Sequence, residues 1–270
     1  MPQLLNEKAR IVANEKVGPR LHLMRLESPQ IASSVKPGQF VHMKVPAAES
    51  HVLRRPFSVY ASDVDRGAVE ILYQEVGSLT RIMPSIAEGD VEMIGPVGNT
   101  WAGPERFKEG SCTRALVVGG GVGAAPLFML TEQLIGAGCT TDVVLGAQTK
   151  DALVTLGRYT QLLGSEPAVA TDDGSYGHAG FCTALVEERL REGSLADGGA
   201  YDYLAVCGPE PLMRIVASIA ADAGVPCQVS MEKRMACGVG ACLSCVVDTT
   251  SGKKRSCVDG PIFDANEVVW

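Results

Sequence analysis

Apolar and polar residues alternate in short segments through the first hundred residues of the chain. In the segment AVEILYQ, Val69, Ile71 and Tyr73 alternate with Glu70 and Gln74, which is the pattern of a strand buried on one face. Similar segments are separated by Gly and Pro: RIVANEKV, RLHLMRLE, QFVHMKV, PFSVY and GDVEMIG. About six short strands in this length predict a small antiparallel β-barrel, which we assign to residues 1–103.

The pattern changes after residue 103, where buried apolar runs alternate with amphipathic segments. Three segments predict strands: RALVVGGG, TTDVVLGAQ and YDYLAVCG. Three others predict helices: GAAPLFMLTEQLIGAG, FCTALVEERLREG and PEPLMRIVASIAADAG. Strands that alternate with helices indicate a parallel sheet covered by helices on both faces. We therefore predict a central α/β nucleotide-binding domain over residues 104–224.

The remaining residues, 225–270, are rich in cysteine and poor in apolar mass. A segment of this composition cannot form a hydrophobic core of its own, so something other than apolar packing must hold it together. The sequence thus predicts a multidomain protein with a barrel, an α/β domain and a small cysteine-rich C-terminal domain.

Composition and charge exclude several classes of protein. The chain has 270 residues and a net charge of −7, and its Lys and Arg are scattered apart from a short basic run at 253–255, so we expect no nucleic-acid partner. No apolar run approaches the ~20 residues of a spanning helix, and no signal segment is visible, so we expect a soluble, cytoplasmic protein without a membrane partner. Nine cysteines in such a chain favour thiols used as ligands over disulfides.

Four of these cysteines follow the spacing C-x4-C-x2-C-x11-C: Cys237, Cys242, Cys245 and Cys257. This spacing is the plant-type ferredoxin arrangement around a [2Fe-2S] cluster. Zinc sites more often use paired C-x2-C knuckles, and a disulfide pair is a weaker alternative. The residues between the first two cysteines, GVGA, are all small, so the loop can wrap a cluster and direct its N–H groups at the sulfur atoms. We therefore predict that these four cysteines are the ligands of the cluster in a small C-terminal [2Fe-2S] domain.

Two segments of the α/β domain predict a nucleotide site. In VVGGGVGAAPL, glycines at a strand end allow the backbone to approach a pyrophosphate, although such a turn can also serve only to pack a strand on a helix. The second strand ends in LGAQ without the acidic residue that usually holds a ribose, which argues against an ordinary dinucleotide-binding domain. The segment CGPEPLM places Cys207 at the carboxyl end of a later strand, where it either lines a crevice or is a buried core thiol.

Two segments of the predicted barrel are candidates for binding phosphate. In LRRPFSVY, Arg54 and Arg55 precede a strand, and a buried guanidinium requires an anion such as phosphate, with Ser58 as a further donor. The alternative is an exposed pair of arginines that solvates the start of the strand. In VGSLTRI, Gly77 can form a turn and the Thr80 hydroxyl is available to a second phosphate.

The order of these motifs resembles the ferredoxin–NADP reductase superfamily, and within it the electron-transfer subunits of type B dihydroorotate dehydrogenase. The resemblance runs nearly end to end through PGQFVHMKV, LRRPFSV, GPVGN, VVGGGVGAAPL, TDDGSYGHAGF, CGPEPLM, MEKRMACGVGACLSCVV and DGPIFDANEV. The cysteine-rich run discriminates best, because the superfamily at large ends without it.

The resemblance implies an FAD site, a nicotinamide site and a cluster site. The FAD-binding residues that it implies are Arg55, Pro56, Phe57, Ser58, Leu72, Tyr73, Gln74, Leu79 and Thr80. For the nicotinamide nucleotide, NAD(H), it implies a turn of glycines and a catalytic cysteine near the reacting ring, namely Gly119, Gly120, Gly121, Gly123 and Cys207. Two residues depart from the family pattern, since the family usually has Arg at the position of Gln74 and Gly at the position of Leu79.

The implied cofactors fix an order of electron transfer. A nicotinamide exchanges two electrons as hydride and a [2Fe-2S] cluster exchanges one at a time, so the flavin, which does both, must lie between them. The resemblance assigns dihydroorotate oxidation, a step of pyrimidine biosynthesis, to a separate FMN-containing catalytic subunit, and it implies a heterotetramer.

Two other functions remain open. One is a related flavin and iron–sulfur oxidoreductase subunit that serves ferredoxin, sulfide or hydrogenase partners; some of these are expected to carry Asp at the first ligand position, where this chain has Cys237. The other is a cluster protein that binds flavin without turnover. The sequence leaves the choice between NAD and NADP undecided, because Gln148, Thr149 and Lys150 allow either.

Overall fold

The computed structural model describes residues 4–45, 51–102 and 114–270. Seven antiparallel strands form the first sheet: β1 (Leu5–Gly18), β2 (Leu21–Glu27), β3 (Phe40–Lys44), β4 (Arg55–Ser58), β5 (Ala61–Asp63), β6 (Ala68–Gln74) and β7 (Asp90–Val97). Their hydrogen-bonded order is β4-β3-β7-β1-β2-β6-β5. Two short helices accompany the sheet, α1 (Pro29–Ser34) and α2 (Ser78–Ile82). All six predicted strands of this region are present, and β5 was not predicted.

The alternation along β6 is only partly as predicted. Val69, Ile71 and Tyr73 lie in the apolar core of the first sheet, as expected. Glu70 is also buried, with 9% of its surface exposed, because arginines from two neighbouring elements cover it. The strand is therefore enclosed on both faces.

Six strands of the second sheet run in parallel: β8 (Arg114–Gly120), β9 (Thr140–Ala147), β10 (Ala168–Thr171), β11 (His178–Ala179), β12 (Tyr203–Cys207) and β13 (Cys227–Ser230). Four helices pack on this sheet: α3 (Phe128–Gly136), α4 (Leu156–Leu163), α5 (Thr183–Glu192) and α6 (Glu210–Asp222). Alternate residues of β8 face two separate cores, one with α3 and α4 and the other with α5 and α6. Helices thus cover both faces of the sheet.

The cysteine-rich segment leaves the second sheet and returns to it. After β13 the chain forms a loop that carries three of the four cysteines, then a hairpin of β14 (Val246–Thr249) and β15 (Gly252–Arg255). The chain then adds β16 (Ile262–Asp264) antiparallel to β13, which completes the strand order β11-β10-β9-β8-β12-β13-β16. The sheet therefore holds both ends of the cysteine-rich segment.

Asn99 joins this returning segment to the end of the first sheet. Its side-chain amide donates to the carbonyl of Ile262 at 2.8 Å and accepts from the N–H of Ile262 at 2.9 Å. Its backbone N–H donates to the carbonyl of Gly260 at 2.6 Å. These contacts place the cysteine-rich segment against the first sheet as well as the second.

Within the described part of the chain, the longest helix, α6, has 13 residues, and no helix has the length and apolar character required to cross a bilayer.

Candidate functional site

A cavity of about 1480 Å³ lies between the two sheets. Typical pockets for one small molecule have volumes of roughly 300–1,000 Å³, so this cavity has room for more than one ligand. It brings together thirteen of the predicted site residues from distant parts of the chain: Arg55, Pro56, Phe57, Ser58, Leu72, Tyr73, Gln74, Leu79, Thr80, Gly120, Gly121, Gly123 and Cys207. Gly119 does not line the cavity.

Arg55 faces the cavity at the start of β4. Its guanidinium donates to the backbone carbonyls of Leu53 and Arg54 at 2.8 and 3.1 Å, and among the described residues no carboxylate pairs with it. Arg54 is different, because its guanidinium pairs with the Glu92 carboxylate at 2.9 Å and donates to the Glu92 carbonyl at 2.7 Å. Of the two arginines, Arg55 is therefore the one available to an anion in the cavity.

The aromatic ring of Tyr73 forms a fixed part of the cavity wall. The Tyr73 hydroxyl donates to the side-chain oxygen of Asn14 at 3.0 Å. The ring stacks on His22 with 5.3 Å between centroids and meets Phe57 edge-on at 6.2 Å. These contacts present a rigid apolar surface next to Arg55, as required to orient a flat, partly apolar ring system.

In the turn before α2, the Thr80 hydroxyl, which was a candidate for binding phosphate, is already hydrogen-bonded to the backbone. The Thr80 Oγ1 accepts the N–H groups of Val76 and Gly77, each at 2.9 Å. Thr80 and Leu79 still line the cavity, but the Thr80 hydroxyl is engaged in the turn. Any contact of this turn with a ligand must therefore involve groups other than that hydroxyl.

The glycines at the end of β8 and in the following turn have different structural roles. A Cβ at Gly119 would lie 2.7 Å from the Cα of Ala124, and a Cβ at Gly123 would lie 2.6 Å from the Cα of Gly208. These two glycines allow close packing, which is the alternative that the sequence left open. Gly121 has a φ of 56° with nothing within 4 Å of a Cβ position, so its backbone is open to the cavity. The turn thus combines packing with an accessible backbone.

Cys207 lies at the carboxyl end of β12 and lines the cavity. Burial, helped by the negative charge of Glu232, raises the pKa of the Cys207 thiol well above its usual range. The thiol is therefore protonated at neutral pH. A protonated thiol is suited to packing contact rather than to a role as nucleophile, since the thiolate is the nucleophilic form.

Glu232 is a cavity residue that the sequence analysis did not single out. The Glu232 side chain faces the space of the cavity. Protein atoms surround its carboxyl, and this burial raises the pKa of the carboxyl. It follows β13 closely, at the edge where the other parallel strands end. That position was not recognised because β13 itself was not assigned to the sheet.

Two carboxylates that follow β10 line the cavity. Asp172 and Asp173 follow β10 and line the cavity with Lys150. The Asp173 carboxylate accepts the hydroxyl of Ser175 at 2.6 Å and its N–H at 3.0 Å, and these bonds lower the pKa of Asp173. The missing acidic residue at the end of the second strand is thus replaced by two carboxylates from the next strand.

The four cysteines of the predicted cluster form two pairs. Cys245 and Cys257 are in contact and buried, with 2% and 3% of their surfaces exposed. Cys237 and Cys242 are also in contact, in the more exposed part of the loop. The β14–β15 hairpin produces the first pair, because it returns the chain so that the N–H of Ser256 donates to the carbonyl of Cys245 at 2.8 Å.

Backbone N–H groups of the loop are directed at the sulfur of Cys237. The N–H of Val239 lies 3.5 Å from this sulfur. Burial disfavours the thiolate, but hydrogen bonds from Val239, Cys242 and Ala241 outweigh it and lower the pKa of Cys237 to about 6. At Cys257, burial and the neighbouring Cys245 raise the pKa to about 12.

The donor set fits a two-iron cluster better than a single ion. Within residues 4–45, 51–102 and 114–270, no three His, Cys, Asp or Glu side chains converge to hold one metal ion. Two contacting pairs of thiols, with N–H groups directed at a sulfur, suit a [2Fe-2S] cluster in which four thiolates serve two irons. A single tetrahedral zinc would need all four thiols around one point.

Two family comparisons match the two ends of the chain. Residues 8–101 match the oxidoreductase FAD-binding domain, and residues 232–269 match the iron–sulfur cluster binding domain of dihydroorotate dehydrogenase B. The dihydroorotate dehydrogenase B (NAD(+)) electron transfer subunit of Desulforamulus reducens is 36% identical over 267 residues, which cover 97% of each chain. The subunit of the same name from Bacillus caldolyticus is 38% identical and covers 97% of this chain and 98% of its own.

The chain belongs to the dihydroorotate dehydrogenase B electron transfer subunit family. The FAD-binding match contains all nine predicted FAD residues, and the cluster-domain match contains all four cysteines.

Solved structures show the same fold. A chain of an NADH-dependent reduced ferredoxin–NADP oxidoreductase superposes with a TM-score of 0.84 at 30% identity, covering 97% of this chain and 90% of that one. A ferredoxin–NADP reductase from Neisseria gonorrhoeae with bound FAD and NADP superposes with a TM-score of 0.66 at 18% identity, covering 81% and 92%. The chain therefore has a ferredoxin–NADP reductase-like fold.

Proposed function

We propose that this chain is the electron-transfer subunit of an NAD-linked dihydroorotate dehydrogenase, which passes electrons between a partner's FMN, a [2Fe-2S] cluster, FAD and NAD(H). The observation that carries the proposal is the similarity to electron transfer subunits along 97% of the chain. The cavity between the sheets and the paired cysteines supply a location for each of the implied cofactors. In this function the chain serves dihydroorotate oxidation to orotate in pyrimidine biosynthesis.

The residues of the first sheet would bind and orient FAD. Bound FAD would exchange hydride with a nicotinamide and single electrons with a cluster. Arg55 would bind the pyrophosphate by charge-assisted hydrogen bonds, with Ser58 beside it. Tyr73, Phe57 and Leu72 would fix the plane of the ring system. The remaining contacts of this site are assigned to Pro56, Gln74, Leu79 and Thr80.

The residues of the second sheet would bind the nicotinamide nucleotide. Gly121 offers accessible backbone to a phosphate, Gly119 lets the turn pack on Ala124, and Gly120 and Gly123 let it approach the segment that begins at Cys207. Cys207, as a neutral thiol, would contact the reacting ring and exclude water from it. The carboxylates of Asp172 and Asp173 favour NAD(H), because a ribose hydroxyl can donate to them whereas a 2′-phosphate would be repelled.

The four cysteines, Cys237, Cys242, Cys245 and Cys257, would hold the cluster. The three parts of the chain would then correspond to an FAD domain at 1–103 folded as an antiparallel barrel, an NAD domain at 104–224 and a cluster domain at 225–270. Strands β13 and β16 of the cluster domain would form part of the sheet of the NAD domain. The chain would function in the cytoplasm with an FMN-containing catalytic subunit, in a heterotetramer.

The test is electron transfer by the purified chain loaded with FAD and cluster. We expect NADH to bleach the flavin and to reduce artificial dyes, and we expect no oxidation of dihydroorotate until the catalytic subunit is added. Dihydroorotate turnover by this chain alone would contradict the proposal. A flavin that NADH leaves oxidised would indicate a cluster protein without turnover.

A second candidate is a subunit of an NADH-dependent reduced ferredoxin–NADP oxidoreductase, since a chain of that enzyme superposes at 30% identity. Cys237 at the first ligand position favours the dihydroorotate dehydrogenase subunit. Copurification decides between them: the expected partner is an FMN-containing protein that oxidises dihydroorotate, and recovery of a ferredoxin-reducing partner would support the second candidate.

A further inference from the structure

His42 is buried between the strand that carries Arg55 and the loop that carries Cys237. It lies on β3 with 0% of its surface exposed, opposite Pro56 of β4 on one side and Ile94 of β7 on the other. Phe40, two residues earlier on the same face, packs with Cys245 and Cys257. This face of β3 therefore separates the proposed FAD site from the proposed cluster site.

The imidazole of His42 packs directly on the cluster loop. A Cβ at Gly238 would lie 2.5 Å from the Nδ1 of His42 and 2.9 Å from its Cγ, and Gly238 has a φ of 70°. Both facts require glycine at position 238. The loop after Cys237 therefore packs closely against the imidazole ring. Of the two ring nitrogens, Nδ1 is the one in contact with Gly238.

Both ring nitrogens of His42 are buried and make no hydrogen bond of acceptable geometry with any described residue. The polar groups nearby are the backbones of Arg54 and Cys237, which act on the ring as acceptors because they favour its protonated form. The imidazole has at least one N–H in either protonation state, so it can donate to a backbone carbonyl. A buried imidazole without a hydrogen bond requires a partner, and the backbones of Arg54 and Cys237 are the candidates. The close approach of Nδ1 to Gly238 favours the Cys237 carbonyl for that nitrogen.

We propose that His42 is a positioning residue for the cluster, whose Nδ1–H donates to the backbone carbonyl of Cys237 when the cluster is bound. This hydrogen bond holds the Cys237–Gly238 peptide in the conformation that directs the following N–H groups at the Cys237 sulfur. Because β3 also pairs with β4, His42 links the position of the cluster loop to the strand of the FAD site. The inference rests on the proposed function, since it assumes that the four cysteines hold a cluster.

Three substitutions of His42 test whether it forms a hydrogen bond or only packs against its neighbours. His42→Leu fills most of the volume and removes the N–H. His42→Asn retains a side-chain N–H close to the position of Nδ1, whereas His42→Gln places its N–H close to the position of Nε2. Met43→Leu is the matched control, because Met43 is equally buried on β3 but packs into the core of the first sheet.

The experiment uses the purified full chain loaded with FAD and cluster. Iron and sulfide per FAD, the electron paramagnetic resonance spectrum and midpoint potential of the reduced cluster, and the rate of iron loss to a chelator are measured for each variant. FAD content reports that the first sheet is folded.

We expect His42→Leu to retain FAD but to lose iron to the chelator at least about tenfold faster than the wild-type chain. Where cluster remains, its spectrum and potential should change; a tenfold change in its reduction equilibrium corresponds to 59 mV for one electron. His42→Asn should be close to wild type, His42→Gln should resemble His42→Leu, and Met43→Leu should have no effect.

Two results would overturn the inference. One is a His42→Leu variant with wild-type spectrum, potential and iron loss. The other is an equal defect in His42→Asn and His42→Leu, which would assign to His42 a role in packing alone. A wild-type chain that binds no cluster at all would instead contradict the proposed function, so the two failures are distinguishable.

Discussion

Two adjacent arginines at the start of β4 have different partners, and this difference decides which of them is available to a ligand. Arg54 is neutralised by Glu92, whereas Arg55 lines the cavity and donates only to backbone carbonyls among the described residues. A guanidinium with unused donors at a cavity wall is suited to a phosphate or pyrophosphate.

At the scale of single residues, we predict that Arg55→Ala weakens FAD binding. A hydrogen bond between charged groups contributes about 1.5–3 kcal/mol, so the affinity for FAD should fall roughly ten- to a hundredfold. The measurement is the FAD dissociation constant from flavin fluorescence, with flavin content after dialysis. Arg54→Ala is the matched control and should retain FAD, because Glu92 already binds its guanidinium. Equal losses in the two variants would contradict the assignment.

The sequence predicted this pair of arginines but not the difference between them. Glu92 is 38 positions from Arg54 along the chain and meets it only because β3 pairs with both β4 and β7. The same limit explains Glu232, which is at the cavity only because β13 joins the sheet. Local motifs identify residue types suited to a phosphate, but the partner that neutralises one of them comes from a distant strand.

At the scale of elements, short strands and returning segments were the hardest to predict. The strand β10 has four residues and β5 has three, too few to show a period. The eight-residue helix α4 was also not predicted. The hairpin from Val246 to Arg255 was signalled by the sequence itself, because a Ser-Gly turn separates two short strands. The pairing of β13 with β16 was not, since only the fold brings together segments more than thirty residues apart.

The hairpin gives a prediction about the fourth cluster ligand. Cys257 is beside Cys245 because β14 and β15 reverse the chain. Cys227 instead lies on β13, paired with Leu204 of β12, in the sheet rather than the loop. Cys257→Ala should therefore lose iron and the visible absorption of the cluster while it retains FAD and its reduction by NADH. Cys227→Ala, the control, should retain all three.

Iron and sulfide assays with an anaerobic NADH titration check this prediction. A full cluster in Cys257→Ala would show that another thiol completes the site. The loop should also lose local order in that variant, because it has little apolar mass and depends on the cluster, while each sheet keeps its own core. Hydrogen exchange of residues 235–245 measures this loss.

At the scale of the whole molecule, a charged cluster joins the two sheets next to the cavity. The Glu70 carboxylate of β6 accepts hydrogen bonds from Arg25 of β2 at 2.8 and 2.9 Å and pairs with Arg158 of α4 at 2.5 Å. Arg158 also lies over the ring of Tyr60, 4.8 Å from its centroid. Since α4 packs on the second sheet, Arg158 links the second sheet to the first.

This cluster predicts a pH-dependent contribution to stability. Burial would raise the pKa of Glu70, but hydrogen bonds from Arg158 and Arg25 outweigh it and hold the pKa below its ordinary value of 4.5. A carboxyl with a lower pKa in the folded than in the unfolded chain stabilises the fold fully above the unfolded value. It loses this contribution as the pH falls through the folded value.

Arg158→Ala should therefore destabilise the chain most at neutral pH. A hydrogen bond between charged groups contributes about 1.5–3 kcal/mol, and the loss should be near the lower end of this range because Arg25 still pairs with Glu70. As the pH falls through the folded pKa of Glu70, which lies below 4.5, the difference from wild type should shrink to the part contributed by packing on Tyr60. Urea denaturation of the FAD-loaded chain at pH 7, at pH 5 and in steps below pH 4.5 measures this. Arg66→Ala is the control, since the Arg66 side chain is 85% exposed and such exposed pairs contribute about 0–1 kcal/mol. A loss for Arg158→Ala that is independent of pH, or no larger than for Arg66→Ala, would show that the charged cluster does not hold the two sheets together.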